Sequence, residues 1–206
     1  MTAGRPLDPA FFARDALVVA RALIGTVLVH ELPTGERRAA RIVETEAYRG
    51  PTDAASHARV GLTKRTRTLL GPPGRAYVYL IYGMYDCFNV TCFGEGKGHA
   101  VLVRGVEPLE GLAPLAETGA RVRTDGPGRL TRALGITRAH DGMSLVSAPL
   151  YLEARTGRPK IAVSARVGVA YAGEIADAPW RFFDPGSAHV SRPSPRLIGR
   201  GKLEIR

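Results

Sequence analysis

The sequence predicts a mixed α/β fold, one domain built on an antiparallel or mixed sheet. Three observations carry the prediction. The 206 residues show no internal repeat and no clear linker. Strand-like runs follow one another across turns too short for a crossover helix, which argues against a doubly wound parallel sheet. Helical spacing appears in only a few short stretches between them.

The elements follow in chain order. Asp8-Pro9 reads as an N-cap with proline at the first helical position, opening a helix from Ala10 to Leu23 that stops at Gly25. Thr26 to Leu32 reads as a strand, Pro33-Thr34-Gly35 as a turn, and Ala39 to Tyr48 as a second strand. Residues 50–75 are irregular, long for a connection, and carry the basic cluster Lys64-Arg65-Thr66-Arg67. Arg75 to Ile81 and Asp86 to Phe93 form a hairpin around Tyr82-Gly83-Met84-Tyr85, and Ala100 to Val106 extends the meander. Leu109 to Thr118 suits a short helix, and Gly126-Pro127 opens another through Leu134. Leu150 to Ala154 and Ile161 to Val169 read as later strands, and the Pro- and Arg-rich tail after Trp180 as loop.

Composition narrows the function class. Hydrophobic residues make up 45% and charged residues 23%, as in a globular soluble chain. The net charge of +10 points to a polyanionic partner, because neutralising phosphates releases condensed counterions. Lysine occurs four times among 29 basic residues, so 25 are arginine, whose planar fork suits phosphate. Cys87 and Cys92 are the only cysteines; five apart on one strand, they point to opposite faces, and no zinc site is completed. No signal peptide and no membrane-length apolar run is evident, so a cytoplasmic protein with no membrane association is expected.

Several residues suit chemistry. Glu44 and Glu46 share a strand face, and a carboxylate at a strand end can act as general base on water; the alternative is a pair of solvated edge carboxylates. Tyr77, Tyr79, Tyr82 and Tyr85 crowd into nine positions, with Tyr48 as a further aromatic. Aromatics beside arginines suit base stacking, while tyrosine is also an ordinary strand residue, the reading taken for Tyr77. Tyr82 and Tyr85 sit at a turn, where core packing is not expected. His57 lies alone in the irregular segment, and Asn89 and Arg104 are strand polar residues without distinctive spacing. Gly126-Pro127-Gly128-Arg129 suits either a phosphate cradle or a plain helix start. By themselves these residues describe a basic α/β protein with a nucleic-acid face and no particular reaction.

Taken together, the ordered blocks RIVETEAY (41–48), Gly50-Pro51 with Asp53 and His57, AYVYLIYGMYDCFNV (76–90), VLVRGVEPLEG (101–111), GPGRLTRALGI (126–136) and ARVGVAYAG (165–173) resemble the alkyladenine, or 3-methyladenine, DNA glycosylase family. They cover nearly the whole chain after residue 20. The resemblance implies a single domain with a curved antiparallel sheet, surrounding helices and a protruding hairpin that intercalates into DNA. It implies a monofunctional base-excision enzyme acting on alkylated or deaminated purines in duplex DNA, as a monomer, with no cofactor, metal or obligate protein partner. Glu46 matches the residue that activates the attacking water, and Arg104 one that helps position it. Tyr48 matches an aromatic on one face of the extruded base, and His57 and Tyr79 match residues on the other. Asn89 matches a pocket residue that crowds the 2-amino group of guanine. Tyr82 matches the minor-groove wedge, with Met84 and Tyr85 on the same hairpin.

Three rivals are set beside this reading. One is a non-catalytic nucleic-acid module of the same fold, similar to the C-terminal domain of methionyl-tRNA formyltransferases. Another is a metal-dependent nuclease using Glu44, Glu46 and Asp53. The third, a helix-hairpin-helix glycosylase, rests only on Gly126 to Gly128.

Overall fold

A computed structural model describes residues 4–112 and 122–193. The first expected helix divides in two. Asp8 accepts from the Ala10 amide and caps a 3₁₀ turn, Pro9–Phe11; Asp15 then accepts from the Leu17 amide and caps α1, Ala16–Leu23. Asp15 is itself an N-cap residue, so the chain restarts there instead of running through. The strands follow as β1 (Val27–Glu31), β2 (Arg37–Arg49), β3 (Ala76–Ile81), β4 (Tyr85–Cys92) and β5 (His99–Glu110). The chain then forms α2 (Pro127–Leu134), β6 (Leu150–Glu153), β7 (Ala162–Ser164) and β8 (Arg181–Phe183).

Among the described residues every strand pairing is antiparallel, in the order β3-β4-β5-β2-β1-β6, with β8 bridging β2 and β7. The result is a mixed α/β domain with a curved antiparallel sheet. Three further expectations need correction. The helix expected from Leu109 begins inside β5, whose ladder to β2 holds as far as Glu110; the remainder of that expectation lies outside the described residues. The strand expected over Ile161 to Val169 shortens to β7, and residues 170–177 form a 3₁₀ segment. The stretch after Trp180, read as loop, begins with β8, which pairs with both β2 and β7.

β2 is the organising strand. One edge pairs with β5 along nearly its full length; the other pairs with β1 at Arg37 to Arg41 and then with β8 at Glu44 to Glu46. Where it changes partner, its register with β5 slips on both sides of Glu44. A bulge reverses which side chains face which side of a sheet. Before the slip, Ala40 and Ile42 point into the main core; after it, Ala47 does. Glu44, Glu46 and Tyr48 are thereby turned to the opposite face. The core lies between the other sheet face and the helices, with Leu23 of α1 and Leu130 and Leu134 of α2 packed among Val78, Phe88, Val90 and Val101. Cys92 joins this core while Cys87 lines the opposite face, as their spacing predicts.

Candidate active site

The face freed by the β2 bulge holds a cavity of about 370 Å³. Alternate residues of four neighbouring strands line it: Tyr77, Tyr79 and Ile81 from β3, Cys87 and Asn89 from β4, Ala100, Leu102 and Arg104 from β5, and Tyr48 from β2. His57, on a 3₁₀ turn capped by Ser56, and the stretch Val167 to Val169 close its sides.

Glu46 lies directly behind this lining. It is fully buried, and the three residues it contacts, Tyr48, Arg104 and Val167, all line the cavity. Its Oε1 accepts from the Val167 amide at 2.7 Å; its Oε2 accepts from the Tyr48 hydroxyl at 3.0 Å and from Arg104 Nη1 at 3.4 Å. A carboxylate offers about four lone-pair sites, so three contacts leave room for one more donor.

The reading of Glu44 and Glu46 as solvated edge carboxylates is wrong: both are fully buried. Glu44 accepts from Arg104 Nε, from Arg181 Nε at 2.6 Å, and from the amide and hydroxyl of Ser191. Arg104 is therefore shared between two carboxylates. Burial works against its charge, but Glu46 and Glu44 outweigh it and raise its pKa. Burial, reinforced by Glu46, likewise holds the Tyr48 phenol well above its ordinary range, so it stays a donor.

The aromatic wall is continuous. His57 Nδ1 lies 3.0 Å from the Tyr77 hydroxyl, and its ring meets Tyr79 edge-on at 4.6 Å between centroids. Tyr77 packs as the sequence suggests, buried with Ala58, Leu69 and Ala100, and it also forms part of this wall. Burial pushes the Tyr77 phenol up to about 12. Burial and then the nearby Arg65 lower the His57 pKa, which favours the neutral ring at pH 7. Arg65, from the basic cluster, lies over the Tyr79 ring at 4.9 Å. Asn89 Nδ2 donates to the carbonyls of Tyr77 and Cys87, which fixes the side-chain amide in the cavity floor.

At the rim stands the hairpin. Met84 N donates to Ile81 O across Tyr82 and Gly83, both at positive φ (54° and 69°). That is the type I′ pattern, which suits the twist of hairpin strands. Tyr82 takes the left-handed conformation without being glycine and is 82% exposed; Met84 is 66% and Tyr85 41% exposed. Tyr85 presses on Gly128 at the start of α2, where a Cβ would come within 2.8 Å of its ring. This contact accounts for a small residue at 128 without invoking a phosphate.

Sequence reasoning missed the Val167 amide, Arg166, Arg181 and Ser191, all far from Glu46 in the chain. Among the described residues no group of three metal-ligating side chains gathers, and Asp53 pairs with Arg166 instead of joining the two glutamates.

The model for methylpurine-DNA glycosylase matches residues 10–188. Relatives each described as "Putative 3-methyladenine DNA glycosylase" include one from Myxococcus xanthus, 54% identical over 92% of this chain and 95% of its own length. One from Methanocella arvoryzae is 47% identical over 90% and 95%, and one from Bacillus cereus 41% identical over 89% and 98%. With the match spanning both the sheet and every cavity-lining residue, the chain belongs to the methylpurine-DNA glycosylase family.

Proposed function

We propose that this protein releases alkylated purines, 3-methyladenine and 7-methylguanine first among them, from duplex DNA by hydrolysis of the N-glycosidic bond. Hypoxanthine and ethenoadenine are further candidate bases. The observation that carries the reading is a fully buried carboxylate, Glu46, set immediately behind a purine-sized aromatic cavity whose rim bears an exposed tyrosine.

Excision requires the nucleotide to leave the stack, and an inserted side chain holds the gap open. Tyr82, with Met84 and Tyr85 beside it, fills that role. The extruded base enters between Tyr48 and the His57–Tyr79 wall, with Asn89 beneath. A purine alkylated at a ring nitrogen is cationic, so tyrosine faces favour it and it departs readily. Glu46 takes a proton from water as the water oxygen bonds to C1′; the C1′–N bond breaks with its electron pair passing to the base. The Glu46 charge also stabilises the cationic sugar in the transition state. Arg104 orients Glu46 and sets a positive group toward the sugar-phosphate. The reading includes action as a monomer in the cytoplasm, without metal, cofactor or obligate protein partner. Among the described lining residues there is no lysine to form a covalent imine, in keeping with a monofunctional enzyme.

The test is single-turnover release of 3-methyladenine from methylated duplex in excess EDTA. Glu46→Gln should lower the rate at least about 10²-fold, the minimum typical of a positioned base, while duplex binding persists. Equal release by both proteins would refute the mechanism. Duplex binding without any release would instead establish the non-catalytic module. A DNA adduct trapped by borohydride would overturn the monofunctional assignment.

A further inference from the structure

Tyr48 lines the cavity and Arg166 does not, so a guanidinium over the Tyr48 ring lies on the face turned away from the cavity. The Arg166 guanidinium lies 4.7 Å from the Tyr48 ring centroid, and 4.8 Å from that of Trp180. Arg49 adds a second guanidinium near Trp180, at 5.7 Å. Arg166 is thus held between two aromatic rings, and its side chain is fully buried. Its Nη1 and Nη2 donate to the two oxygens of Asp53, at 2.6 and 3.0 Å, and Nη1 also donates to Ala47 O at 3.0 Å. Asp53 in turn accepts from the Arg49 and Ala55 amides, so the ion pair is fixed to the end of β2 and the turn that follows it.

Two consequences follow. Arg166 precedes Val167, whose amide holds Glu46, so one side chain anchors both the Tyr48 ring and the backbone that aims the carboxylate. Its charge also acts through the ring. A cation behind an aromatic ring draws on the same negative π face that would attract a cation in front. Asp53, paired with both Nη atoms of the guanidinium, offsets that field in part.

We propose that Arg166 is a positioning and specificity-determining residue: by stacking on the rear of Tyr48 it weakens the site's bias toward cationic bases and so sets the balance between charged and neutral purines. The inference rests on the excision reading above.

The experiment compares kcat/KM for 7-methylguanine, a cationic base, and hypoxanthine, a neutral one, in defined duplexes. The ratio is taken on one preparation of each protein, so any inactive fraction cancels. Asp53→Asn/Arg166→Gln removes both charges and should raise the cationic-to-neutral ratio by about threefold or more, the scale of one cation–π contact. Asp53→Asn alone leaves the guanidinium less compensated and should move the ratio the other way. Arg166→Lys keeps the charge but loses the planar fork; it should slow both substrates and leave the ratio within about twofold of wild type. If either Asp53 variant fails to fold, the opposite-signed shift expected of the other still decides. Ratios that stay fixed in the Asp53 variants while both rates fall together would make Arg166 merely structural and overturn the proposal. Failure of the wild-type protein to release either base would instead refute the excision reading itself.

Discussion

The charge layer behind the cavity and the hairpin at its rim are built on opposite terms. Glu44, Glu46, Arg104 and Arg181 are buried, and their contacts draw on β2, β5, β8, the 167 loop and Ser191. Tyr82 is exposed, sits on a three-residue turn and adopts a conformation that costs a non-glycine residue about 1–2 kcal/mol. One region is held by many groups so that one carboxylate points one way. The other carries local strain in a side chain left mostly in solvent, which is how a surface held ready for a partner looks. Loss of a charge-layer residue should therefore affect folding and chemistry together, and loss of a hairpin residue only the handling of DNA.

The sharpest way to break this contrast is Arg104→Met. It leaves Glu46 buried with only Val167 and Tyr48 as donors, and Glu44 dependent on Arg181 and Ser191. Removing one partner of a buried ion pair costs about 3–5 kcal/mol. Urea denaturation should show a loss of that order, with excision falling in parallel. A loss below about 1 kcal/mol would mean that the layer is far more hydrated than its burial indicates.

The charge layer was also the least legible part of the sequence. ETEAY offers two carboxylates and no local sign of which side is buried; the alternation of β2 is broken by the slip around Glu44. That slip falls where β2 takes up β8 as a partner, and the short run after Trp180 looks like loop because three residues are too few to show a period. The Glu46 partners at Val167 and Arg104 lie over 50 residues away, beyond any spacing argument. By contrast, the hairpin is a local feature. Tyr-Gly between two apolar runs, with pairing from Ile81 to Tyr85, follows from turn chemistry, and an aromatic at a turn has no core to enter. Roles for His57 and Asn89 came only from the family resemblance; their spacing carries no signal.

The hairpin gives the second, smaller effect. Tyr82→Gly relieves the left-handed strain and should raise stability by about 1 kcal/mol. Under the proposed function, loss of the Tyr82 ring should slow lesion processing about tenfold, within the range expected for one stacked base. Tyr82→Ala should slow processing equally with stability unchanged to about 0.5 kcal/mol. Thermal melts beside single-turnover assays separate the two quantities. A Tyr82 variant that unfolds would place the residue in the core and erase the contrast.

The smallest effect is one of pH, and it tests whether the cavity wall shares the rigidity of the charge layer. Burial lowers the pKa of His57, with Arg65 adding to the shift, and burial lowers those of His30 and His99 as well. At His30 geometry gives the same sign: its Nε2 faces His140 Nε2 at 3.1 Å, so a charge gained on His30 would sit against a second imidazole. Above the ordinary histidine pKa of 6.5 both folded and unfolded chains are neutral at these sites, and they contribute no pH dependence. As pH falls through 6.5 the unfolded chain binds protons that the folded chain does not, so stability declines until the folded pKa values are reached. The melting temperature should therefore fall between pH 7 and about pH 5, before carboxylates begin to titrate. For a chain of this length each kcal/mol lost corresponds to about 2–4 °C. His57→Gln should remove part of that slope and leave the melting temperature independent of pH above pH 7. A melting temperature that rises on acidification would mean that these rings gain partners on protonation, and that the wall around His57 rearranges where the charge layer does not.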